Sequence, residues 1–109
     1  MDWRPREYNA PPDTVCNWIL HDHKDRHAID VVDVKQAAET GYSLQIHCDG
    51  GYKGGVGAAA FVVHAIEVDS GSIHRVGYAG RFIAGAKSPF HTELTALDMA
   101  LGFVQQAFA

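Results

Sequence analysis

Apolar and polar residues alternate most regularly in the second half of the chain. Over residues 43–49, Leu44, Ile46 and Cys48 take one face and Gln45, His47 and Asp49 the other, which is the period of two that a strand imposes. Five glycines follow within residues 50–57 and predict a turn. A second strand is expected over 57–68, rich in Val, Phe and Ile. Asp69-Ser70-Gly71-Ser72 then marks a hairpin, and a third strand is expected over 73–84. Three consecutive strands joined by short turns predict an antiparallel meander.

The period changes at residue 89. Ser88 is a good N-cap and Pro89 suits the first helical position, where its missing N–H costs nothing. Phe90, Leu94, Leu97, Leu101, Val104 and Phe108 are spaced alternately by four and three, so a helix over 89–108 carries an apolar stripe. That stripe is expected to pack on the sheet, with Glu93 at its margin, roughly 60° from its centre. Met99 and Phe103 lie on the opposite side, so a protein partner or a second copy is expected to cover them. The first half is less periodic. An extended lead-in containing Trp3 runs to Pro11-Pro12, where paired prolines disfavour helix. A short helix over 15–23 is expected, capped by Asp13 or Thr14, with Val15, Trp18 and Ile19 on one side. Residues 29–40 form a second helical candidate ending at Gly41, although their opening would also suit a strand. These features divide the chain into a partly helical N-terminal extension, 1–42, and a domain over 43–109. Trp3 and Trp18 are expected to anchor the extension on the sheet.

With 109 residues, 47% apolar and 20% charged, the composition is that of a folded globular chain with one modest core. No run approaches the roughly 20 apolar residues of a membrane span, and the first residues have no apolar signal core, so an intracellular location is expected. Cys16 and Cys48 are too few for a disulfide framework and read as free thiols. The net charge of -4 argues against gripping nucleic acid by bulk electrostatics. Contact with phosphates through metal ions stays open.

Two carboxylates stand out as candidate chemistry. Asp49 ends the first strand next to glycines, where backbone can approach a ligand closely, and Glu93 lies one turn into the helix. Converging carboxylates suit a hard cation such as Mg²⁺. Alternatively, Asp49 starts a turn and Glu93 favours the positive end of a helix. Spacing alone leaves both roles open. His23 and His27 would share a helix face, with His21 nearby, but no cysteine or acidic cluster completes a zinc set. His47, His91, Lys53, Arg81 and Lys87 read as packing or solvated groups, and Cys48 as a small core residue.

The run Leu44-Gln45-Ile46-His47-Cys48-Asp49-Gly50-Gly51, followed by glycines and Ala59-Ala60-Phe61-Val62-Val63, resembles the opening of the ribonuclease H family. Phe90-His91-Thr92-Glu93 and the Leu/Ala-rich run after it look like that family's first helix. Tyr78-Ala79-Gly80-Arg81-Phe82 and the helix start look closest to retrotransposon-type members. The resemblance covers residues 43–109. It implies an incomplete α+β ribonuclease H-like fold: a three-stranded antiparallel meander packed by one long C-terminal helix, after the N-terminal helical extension. It also implies an RNA–DNA hybrid as partner and hydrolysis by paired Mg²⁺ or Mn²⁺ ions held by Asp49 and Glu93. Gly50, Gly51, Tyr52 and Lys53 would lie near the nucleic acid. The family's fold continues past this helix with further strands and metal-binding acids. Asp98 cannot replace them, being about 140° round the helix from Glu93, so the chain alone is expected to be inactive. The alternative is a domesticated, non-catalytic fragment serving as a structural or interaction subunit.

Overall fold

Long β-rich runs and short glycine turns give the chain its frame. The computed structural model describes residues 11–109. In chain order it holds α1 (Pro12–Asp22), β1 (Arg26–Ala28), α2 (Val31–Glu39), β2 (Tyr42–Lys53), β3 (Val56–Glu67), β4 (Ile73–Ala84) and α3 (Pro89–Phe108). The class is α+β. The sheet is antiparallel throughout, in the order β1-β4-β3-β2, so β2 is an edge strand.

β3, β4 and α3 lie close to their expected limits, whereas β2 starts as expected and runs four residues past Asp49. The sheet, however, has four strands rather than three. Arg26, His27 and Ala28 pair with Gly80, Ala79 and Tyr78 on the far edge of β4. Three residues are too few to display alternation, and their conformation is set by the edge they meet. The glycine turn is also narrower than expected. β2 continues through Gly50, Gly51, Tyr52 and Lys53, and only Gly54 (φ 59°) and Gly55 (φ 81°) connect it to Val56. Two adjacent residues with positive φ are what a two-residue hairpin of type I′ demands.

Helices cover both faces of the sheet. On one, Phe61, Val63, Ala65 and Val76 pack with Val34 and Ala37 of α2 and with Ala100, Phe103 and Ala107 of α3. Val76 joins this face through a register shift, since Val63 pairs with Gly77 and His64 with Arg75. On the other face, Val15, Cys16 and Ile19 of α1 pack on Ala58 and Ala60. Trp18 meets Tyr78 edge-on at 6.2 Å, the anchoring role expected of it. The lead-in before Pro11, with Trp3, lies outside the described residues. α1 starts earlier than expected: Pro12 is its first residue and Pro11 its N-cap, the helical site a proline tolerates. α2 is a helix from its first turn, because the Asp30 carboxylate accepts from the Val32 amide at 2.9 Å and caps it.

The orientation of α3 overturns one expectation. Its buried flank is Thr92, Ala96, Ala100, Phe103 and Ala107, while Phe90, Leu94, Leu97, Leu101, Val104 and Phe108 are exposed. Met99 and Phe103 therefore need no partner. Phe103 lies 5.4 Å from Phe61 within the chain's own core, and Met99 packs against the same cluster. The reason is distance. Thr92 and the alanines let α3 settle onto glycines of the sheet, which a row of leucines would hold away.

Candidate functional site

The N-terminus of α3 sits directly on β2 and β3. Ser88 caps it by accepting from the His91 amide at 3.1 Å. Thr92 is fully buried, its hydroxyl donating to the Pro89 carbonyl at 2.7 Å. A Cβ added to Gly50 would stand 2.5 Å from Thr92 Oγ1 and 2.6 Å from the Glu93 amide nitrogen. One added to Gly57 would meet Thr92 Cγ2 at 2.5 Å. Glycine at both positions lets the helix reach the sheet, and this contact places the Glu93 backbone over the residue that follows Asp49.

Asp49 belongs to the other face. Side chains alternate along β2, and Gly51, two residues on, faces α1: a Cβ there would lie 2.9 Å from Leu20 Cδ1 and 3.5 Å from Cys16 Cβ. The Cys16 thiol donates to the Asp49 carbonyl at 3.5 Å. Burial, and then the negative charges of Asp49 and Asp13, push that thiol up to about 12. It is therefore a protonated, inert packing group at neutral pH. Asp49 thus lies on the α1 side of β2, and Glu93 is exposed on the α3 side. Beyond the strand's outer edge no neighbouring strand separates the two sides among the described residues.

The four residues expected near nucleic acid divide into two pairs. Gly50 and Gly51 are approached by the chain's own helices, α3 above and α1 below, so their lack of side chains serves packing. Tyr52 and Lys53 are exposed at the end of the hairpin. Cys48 is exposed rather than in the core. His47 is exposed, its ring 4.6 Å from that of His64, whose pKa is lowered by burial and by the nearby His47 and Arg75. His23 and His27 share no helix face. His23 ends α1 in the left-handed region and stacks on Phe82 at 4.8 Å, whereas His27 is in β1. Sequence reasoning missed the neighbourhood of Asp49, Cys16 and Asp13, because no local pattern reports where α1 docks.

Asp49 and Glu93 are donors of the right kind for Mg²⁺ or Mn²⁺, but among the described residues no group of three or more His, Cys, Asp or Glu could hold an ion. A single, largely hydrated cation shared with a phosphate would need fewer protein ligands, but Asp49 and Glu93 approach from opposite faces of β2 and would meet only round its outer edge. They do not amount to a paired-ion cage. Comparison of the chain with known protein families, curated proteins and solved structures finds no match. Among the described residues, no helix is long and apolar enough to cross a membrane.

Proposed function

We propose that the chain is a ribonuclease H-like module that engages an RNA–DNA hybrid at the outer edge of β2, with Asp49 and Glu93 holding a divalent cation against the backbone phosphates. The observation that carries this reading is the seating of α3 on Gly50, which brings Glu93 beside the strand segment that presents Asp49. The order of three antiparallel strands and then a helix over the first of them agrees with it. Bound Mg²⁺ or Mn²⁺ would supply charge neutralisation at the phosphates. The chain's own part is to fix the two carboxylates on a rigid strand and helix, with Lys53 and Tyr52 exposed nearby. Hydrolysis requires carboxylates beyond these two, so the isolated chain binds without efficient cleavage.

The test is binding of a fluorescent RNA–DNA hybrid with and without Mg²⁺, alongside Asp49→Asn and Glu93→Gln. Binding should strengthen with the metal and weaken roughly tenfold in either variant, about 1.4 kcal/mol. Any trace cleavage should vanish in Asp49→Asn. Binding indifferent to the metal and to both substitutions would contradict the proposal. A second reading, a non-catalytic interaction subunit of retroelement origin, is favoured by the exposed apolar side of α3.

A further inference from the structure

We infer that His47 and His64 form a two-imidazole site for a divalent transition-metal ion of the zinc and copper class, on the α1 side of the sheet. The inference does not depend on the hybrid-binding proposal. The ion lies over β2 and β3 and leaves the outer edge of β2 to nucleic acid.

Strand register brings the two rings together. His47 pairs across with Val62, and Gln45 with His64, so the two histidines are diagonal neighbours on one side of the sheet, close enough for long side chains to meet. It is the side that Gly51 presents to α1, since alternate residues of β2 share a face. α1 packs farther along, on Ala58 and Ala60 of β3, and His47 is exposed. The ring centres are 4.6 Å apart, with the planes tilted by 51°. An ion about 2.1 Å from one nitrogen of each ring lies about 3.2 Å from each ring centre, and a tetrahedral angle then sets the centres about 5 Å apart. The observed spacing is close to that value. Parallel stacking would send the two lone pairs past each other, whereas the tilt lets them converge.

His64 adds a second, independent observation. Its Nε2 is buried and has no hydrogen-bond partner among the described residues. A buried polar atom left in this way calls for a water or an ion. Burial, and then His47 and Arg75, lower the pKa of this ring, which keeps it in the neutral form that ligates metal. Imidazole nitrogen selects zinc, copper or nickel, whereas Mg²⁺ selects oxygen. No third His, Cys, Asp or Glu joins the pair among the described residues. The remaining coordination positions therefore go to water or an exogenous ligand, which makes the site an open one. Two charges flank it. Arg75, across from His64 on β4, opposes a dication, and Asp49, two residues from His47 on the same side of β2, offsets it.

The experiment is a Zn²⁺ titration of the chain followed through the imidazole nitrogen resonances, beside His47→Ala, His64→Ala, Cys48→Ser and Asp49→Asn. In wild type the His47 and His64 rings should shift together, ahead of the other histidines, and saturate at one ion per chain. Chelation by two fixed groups exceeds binding by one about 10²-fold or more, so loss of either ring should weaken zinc binding at least tenfold. His47 is exposed, so His47→Ala should keep the fold, as circular dichroism will show. Binding should survive millimolar Mg²⁺, Asp49→Asn and Cys48→Ser, which separates it from an ion held by carboxylates or by the exposed thiol. The inference is overturned if the two rings titrate separately, if either still shifts as before once the other is replaced, or if zinc is lost with Mg²⁺, Asp49→Asn or Cys48→Ser.

Discussion

Cys16 joins α1 to the strand that carries Asp49, and its chemistry gives a pH test of that contact. The thiol is buried and held near two carboxylates, so its pKa rises from the ordinary 9.0 to about 12. A group that binds its proton more tightly when folded stabilises the fold fully below its unfolded pKa and loses that contribution as pH rises through the folded one. Stability is therefore expected to fall between pH 9 and about 12, and the fall should be shallower in Cys16→Ala. Urea midpoints of the two proteins across this range check it; parallel curves would place Cys16 in an ordinary environment. Asp49 itself was visible in the sequence as an acid before glycines, but it neither ends the strand nor starts a turn, since β2 runs on to Lys53. Its neighbours were not visible, because the docking of α1 depends on Gly51 and Gly80 having no side chains for Leu20, Ile19 and Val15 to clash with. Such matching between distant segments leaves no periodic signature.

At the scale of elements, the sequence marks where α3 begins and ends but misleads about which side it buries. Ser88-Pro89 sets the start, and the helix runs as expected to Phe108. Hydrophobicity alone selects the Phe90–Leu94–Leu97–Leu101 side as the core. Close approach to Gly50 and Gly57 instead selects the small-residue flank, with Phe103 reaching the core beyond. This difference is measurable. Phe103→Ala should cost about 3–5 kcal/mol of stability, as loss of a buried ring does, whereas Leu97→Ala, at an exposed position, should cost under about 1 kcal/mol. Urea unfolding at low protein concentration gives both values, and the reverse ranking would mean that α3 is rotated. β2, β3 and β4 were legible because alternation and turn glycines are local. β1 was not, since pairing with β4 alone makes three polar-flanked residues into a strand.

As a whole, the described residues form a long and narrow body, 48 × 27 × 20 Å, because the three main strands have twelve residues each and stand in a sheet four strands wide. Its two long edges differ. β4 is partly covered by β1, and β2 has no second strand beside it among the described residues. Asp49 and Glu93 flank this edge from opposite faces of β2. With a net charge of -4, attraction to nucleic acid must be local and metal-assisted rather than diffuse. The most direct measurement of the central claim, that Asp49 and Glu93 serve one cation, is a Mn²⁺ titration followed by backbone amide resonances. Paramagnetic broadening should appear first, and together, in the segments around Asp49 and Glu93, and Asp49→Asn should abolish it in both. Broadening of only one segment, or broadening of both that survives Asp49→Asn, would contradict the account.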